Sequence, residues 1–169
     1  MEPTPSLLER VAKMAILGTI RTAGDTAEQL VRTGRDLLLL TVAGAEQVTV
    51  AAEKGSGAIV VGAIDAAREV GEDVFKTVHL VVHGTVKGAA EAGADVGAVA
   101  VKVTEATIHA AEKAGTDAGL AMKHAVTGAI HAAEEIGDDT AAAVRDVLLE
   151  SVKGAKDVIK APFQREERG

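Results

Sequence analysis

The stretch AIDAAREVGEDVFKTVHLVVHG (Ala63–Gly84) is followed without a gap by TVKGAAEAGADVGAVAVKVTEA (Thr85–Ala106), TIHAAEKAGTDAGLAMKHAVTG (Thr107–Gly128) and AIHAAEEIGDDTAAAVRDVLLE (Ala129–Glu150). These are four copies of one 22-residue unit. Two weaker copies precede them, at Thr19–Leu40 and Thr41–Gly62, and a partial copy, SVKGAKDVIKA, follows at Ser151. The second position of the unit is Ile or Val in every copy: Ile20, Val42, Ile64, Val86, Ile108, Ile130 and Val152. The fifth is always Ala. No insertion breaks this register.

Twenty-two residues are two elevens, and an eleven closes three helical turns at about 3.67 residues per turn. In each eleven, positions 1, 2, 4, 5, 8 and 9 fall on one side of a helix, and the mostly polar positions 3, 6, 7, 10 and 11 on the other. The pattern predicts an amphipathic helix with a wide apolar face of Ala, Gly, Val and Thr. Period-two alternation is poor, so strands are not expected. The fold class is all-α, built from long amphipathic helices.

Position 9 of the clear units is Gly (Gly71, Gly93, Gly115, Gly137), and an acid follows two residues later (Asp73, Asp95, Asp117, Asp139). This pattern has two readings. In one, the helix runs through as a continuous rod or a helical hairpin in a bundle or coiled coil. In the other, Gly ends a helix and Asp caps the next, giving helices of nearly 20 residues in an up-and-down α-solenoid. Continuity is favoured, because the apolar face keeps its phase across each Gly-x-Asp. A single break would then fall at Gly55-Ser56-Gly57. Unbroken from Ser6 to Lys160, the rod would measure about 230 Å at 1.5 Å per residue.

On the continuous reading the packing face carries Ile64, Gly71, Gly84, Val86, Gly88, Gly93, Gly97, Ile108, Gly115, Gly119, Ile130 and Gly137. Gly84–Gly88, Gly93–Gly97 and Gly115–Gly119 form three small-xxx-small pairs that let backbones approach closely. Replacing Gly93 and Gly115 together by Leu is then expected to block assembly. Interior glycines also weaken an isolated helix by ~1 kcal/mol each relative to Ala. Burial of the face has to supply most of the helical stability.

The organisation that follows is a helix start over 1–18, a repeat domain over 19–161 and a disordered polar tail over 162–169. Ser6 and Glu9 fit a capping box at the first helix, and Ala161-Pro162 stops the last one. The N-terminus lacks a basic start followed by a long apolar run, so it does not read as a signal peptide. No segment approaches the ~20 apolar residues of a membrane span. A cytoplasmic protein is expected.

Composition narrows the function. Phe75 and Phe163 are the only aromatics, and there is no Trp, Tyr or Cys. Deep small-molecule pockets and base-stacking surfaces both lean on aromatic rings. A net charge of −7 without a basic patch argues against nucleic acid. No phosphate loop, nucleophile elbow or di-iron motif is present, so an enzyme is not expected. His79 and His83 are spaced i, i+4, as a zinc pair would be. A site needs further ligands from another helix, and the sequence shows no matching cluster, so neither metal nor cofactor is expected. His109 and His131 occupy the same repeat position, which duplication explains.

The eleven-residue period and the Val/Ala/Thr/Gly face, as in HGTVKGAAEAGADVGAVAVKV, resemble synucleins, late-embryogenesis-abundant proteins and the 22-residue repeats of exchangeable apolipoproteins. Bacterial phasins, which coat polyester granules, are similar in composition. The lysine-rich core of synuclein units is absent, and Pro3, Pro5 and Pro162 lie outside the repeats that proline punctuates in apolipoproteins. No functional residue carries over. The expected function is a non-enzymatic structural protein that self-associates through its Ala/Gly/Val face into a homo-oligomer or polymer. The alternative is a peripheral coat on a lipid, lipid-droplet or polyester-granule surface.

Overall fold

Gly71, Gly93 and Gly115 sit in the left-handed region, at φ 75°, 82° and 75°. That is the conformation glycine adopts without penalty just past a helix end. The computed structural model describes residues 6–22 and 26–159. It contains α1 (Leu7–Thr22), α2 (Thr26–Val42), α3 (Val48–Val70), α4 (Val74–Glu91), α5 (Val96–Ala114), α6 (Ala118–Ile136) and α7 (Asp138–Ser151). A short helical segment at 155–159 follows. The protein is an all-α bundle of packed helices, with no strand among the described residues. It is not the single rod that continuity predicts. The expected tail over 162–169 lies outside the described residues.

The links between α3, α4, α5 and α6 share one chemistry. The amide of Glu72 reaches back to the Ala67 carbonyl and that of Gly71 to Arg68. Ala94 and Gly93 repeat this on Ala89 and Ala90, and Thr116 and Gly115 on Ala111 and Glu112. These paired bonds satisfy the last carbonyls of each helix. Asp73 then caps the next helix, its carboxylate accepting from the amides of Phe75 and Lys76 at 2.9 and 3.1 Å. Asp95 accepts from Ala98 and Asp117 from Leu120 in the same way. Gly-x-Asp is therefore a complete stop-and-start signal in three residues. The apolar phase survives because helix and link together have a fixed length, so every face recurs at the unit spacing whether or not the helix breaks.

Two expectations need correction. Gly137 is extended, at φ 161° and ψ 161°, and α7 begins directly after it, so Asp139 does not occupy the capping position. The break expected at Gly55-Ser56-Gly57 is absent, since α3 runs straight through it. A Cβ on Gly55 would lie 2.5 Å from Thr41 Cγ2, so this glycine serves packing. The turn falls earlier, where Gly44 has φ 76°. Helix α3 has 23 residues against 19 in α5 and α6. The link before α3 therefore falls about one helical turn earlier in its unit than the later links do, while the sequence register, with Ile or Val at position 2 of every unit, holds.

The helices form two layers. Odd-numbered helices pack on the next odd helix (α1 on α3, α3 on α5, α5 on α7), and α2, α4 and α6 do likewise. Within a layer they run parallel. Gly62 lies against Glu9 and Lys13, and further along the same pair Lys13 bridges Glu69 at 2.9 Å. A small residue recurs at each of these crossings. Gly62 meets the backbone of α1, Gly84 that of Val31 in α2, and Gly128 that of His79 in α4. In the α3–α5 crossing Ala106 supplies the methyl and Gly57 the gap.

Each interior helix is thus flanked within its own layer and backed by the other, which explains the wide apolar face. The core is Val- and Ala-rich, with Ile16, Leu38, Ile59, Ile64 and Leu148 as its largest buried side chains. Buried Thr85, Thr104 and Thr107 donate to the carbonyls of Val81, Ala100 and Val103, one turn back. Their hydroxyls are satisfied inside an apolar face. At the N-terminus, Ser6 Oγ accepts from the Glu9 amide at 3.1 Å, one half of the expected capping box.

Candidate functional site

Residues four apart stack on one face of a helix. His79 and His83 do so on α4, and His131 and Glu135 do so on α6. Because α4 and α6 are parallel neighbours, the two pairs face each other. His79 Nε2 lies 3.2 Å from His131 Nδ1. His83 Nε2 donates to Glu135 Oε1 at 2.5 Å, and Lys87 Nζ stands 3.6 Å from the same oxygen. One donor nitrogen from each of His79, His83 and His131 lies within 4.8 Å of the other two. His124 continues the line upward, its ring 6.2 Å from that of His79 and stacked on Phe75 at 5.9 Å. The result is a seam of four imidazoles between two helices. At its lower end it opens into a shallow groove lined by Val31, Arg35, Lys87 and Glu91.

Gly128 makes the seam possible. Its lack of a side chain lets α6 rest on the His79 carbonyl, where a Cβ would come within 2.5 Å of the oxygen. His131, about one turn further along, then reaches the His79 ring.

The electrostatics disfavour a proton on His79 and His124. Burial, and then the neighbouring His131, His124 and His83, push the His79 imidazole down to about 4. Burial also lowers His124, against the opposing pull of Asp73. The hydrogen bond from His83 holds the Glu135 carboxylate below its ordinary range. A neutral imidazole keeps a lone pair free for a proton or a cation.

The residues assigned to a packing face from sequence separate into three groups. Ile64, Val86, Gly84 and Gly88 are buried, and Ile108 and Ile130 pack against the core from its margin. Gly88 lies on Arg35, where a Cβ would be 2.8 Å from the carbonyl oxygen. Gly84–Gly88 is therefore a close-approach pair on α2. Gly71, Gly93 and Gly115 are turn residues with open space around them, and so is Gly137 in its extended link. Gly97 touches Val147 of α7, while Gly119 is exposed. The pairs Gly93–Gly97 and Gly115–Gly119 are accordingly not packing motifs. The Gly93 and Gly115 double replacement would strain turns rather than block an interface.

Sequence reasoning missed the second half of the histidine seam. The partners of His79 and His83, His131 and Glu135, come from α6, 52 residues away. The signal available was a matching i, i+4 pair, His131 and Glu135, on a helix of the same layer.

No protein-family model, curated protein or solved structure matches this chain. No helix among the described residues is long and apolar enough to cross a membrane.

Proposed function

We propose that this chain is a non-enzymatic structural protein, an up-and-down helical array of the α-solenoid type that pairs with a second copy through its N-terminal end. The observation that carries this is the outer face of α1. Leu7, Val11 and Met14 are 71%, 43% and 70% exposed. Their spacing places them on one stripe, and Gly18 extends it with nothing nearby. At the other end α7 turns outward Ala142, Ala143, Asp146 and Glu150, a mostly small and polar surface whose one large apolar residue, Leu149, is 37% exposed. A helical array stays separate from its copies when its terminal faces are polar. Here one end is polar and the other apolar. A patch that meets itself closes a two-fold dimer, whereas a filament needs two complementary ends. The asymmetry therefore favours a finite homo-oligomer over a polymer.

The alternative, a coat on a lipid or polyester-granule surface, has less to work with. The broad Ala/Gly/Val face lies between helices, and a coat would have to open the array to use it. Sedimentation velocity across a wide concentration range tests the proposal. The expected result is a monomer–dimer equilibrium that Val11→Glu with Met14→Glu abolishes while leaving the helical content intact. A monomer at every concentration would overturn it. Flotation of that monomer with phosphatidylcholine vesicles would move the assignment to the coat.

A further inference from the structure

We propose that His79, His83, His131 and Glu135 form a binding site for one divalent transition-metal ion of the zinc type, which clamps α4 to α6. The donor set is three imidazoles and a carboxylate. That combination selects zinc, cobalt, nickel or copper over magnesium and calcium, which take oxygen ligands.

The spacing suits the ion. Tetrahedral donors about 2.0–2.1 Å from zinc lie roughly 3.3–3.4 Å apart. The His79 and His131 nitrogens are already 3.2 Å apart. The three histidine donors need only small side-chain rotations to close from within 4.8 Å. Glu135, already against His83 but outside the 4.8 Å cluster of imidazole donors, has to turn toward the ion to supply the fourth donor and one negative charge. Lys87 sits beside Glu135 and limits that charge without entering the donor set.

The site is also prepared in its backbone. Both ligand pairs ride on helices rather than loops, and Gly128 sets the distance between those helices. His131 is exposed and gives the ion a path from solvent. Bound metal would cross-link residues more than 50 positions apart and stabilise the folded state over the unfolded one. The inference stands independently of the dimer proposed above, since all four ligands belong to one chain.

The experiment is calorimetric titration of tag-free protein with zinc chloride, followed by cobalt substitution and thermal melts. The expected result is one ion per chain, a visible band of tetrahedral cobalt, and a melting temperature raised by roughly 5–10 °C at a hundredfold excess over Kd. His131→Ala and His83→Ala should each weaken binding by at least about 100-fold, the upper end of what losing an outer-shell partner costs. His109→Ala, on α5 and outside the seam, should bind like the parent. His131 is exposed, so its variant keeps the fold, which circular dichroism checks. Absence of stoichiometric binding, or binding that His131→Ala leaves unchanged, would overturn the site.

Discussion

Gly128 lies directly over the backbone carbonyl of His79, with room for a hydrogen and no more. This contact sets the distance between α4 and α6 and thereby brings His131 to His79. A side chain at 128 has rigid backbone to move against, so the helices must part. Gly128→Val should cost about 1–3 kcal/mol or more, as overpacking against an immovable neighbour does. Gly18 is the contrasting case, a helical glycine with nothing within 4 Å. Gly18→Ala should stabilise by up to ~1 kcal/mol through helix propensity alone. Urea denaturation of the two variants measures both. Equal effects would mean that the α4–α6 crossing is not close-packed.

The turn glycines make a different prediction. Gly115 has φ 75° and open space around it. Any side chain there meets the left-handed penalty of roughly 1–2 kcal/mol, and size should matter little. Gly115→Ala and Gly115→Leu should therefore lose nearly the same stability, and Gly115→Asn should lose less. A Leu variant much worse than the Ala variant would show that this glycine is packed after all.

How much of this was legible in the sequence differs from element to element. Gly-x-Asp was visible as a possible cap, and the helix lengths of the solenoid reading follow from it. Preserved phase pointed the wrong way, because a fixed helix-plus-link length preserves phase as well as an unbroken helix does. The glycines at position 9 and those at Gly62, Gly84 and Gly128 look alike in composition. One set turns the chain, and the other lets α3, α4 and α6 lie on the helix two before. Only the second set reports tertiary neighbours. The meeting of His79 with His131 depends on that next-but-one pairing and on its stagger along the helix axis, neither of which local periodicity encodes.

The fourth Gly-x-Asp offers a test of the capping chemistry. Asp73 accepts from two amides at the start of α4, whereas Asp139 is already inside α7. Removing a cap of this kind costs about 1–2 kcal/mol. A first-turn acid that does not cap contributes only its interaction with the helix dipole, about 0.3–1 kcal/mol. Asp73→Ala should thus destabilise more than Asp139→Ala in urea denaturation. The reverse order would contradict the assignment of the α3–α4 link as a capped turn and of the α6–α7 link as an uncapped one.

The seam also gives the metal-free protein a defined response to acid. His79 titrates at about 4 when folded, against 6.5 for an unperturbed histidine. Between those values the unfolded chain binds a proton that the folded seam refuses. Stability therefore rises with pH across that window, and it is lost as pH falls from 6.5 toward 4. The groups facing His79 are His83 on its own helix and His124 and His131 on α6. His124 is lowered too and adds to the loss, while Arg35 and Glu91 pair with each other beside the groove. Glu135 acts in the same direction further down. Its folded carboxylate is held below 4.5, so its contribution is present above that value and disappears as pH drops through the folded one. The melting temperature, recorded with a chelator present, should decline steadily from pH 6.5 to 4. His79→Gln removes the main titrating group and should flatten that decline. A parent profile that is level across this range would mean that water solvates the seam and that His79 is an ordinary surface histidine.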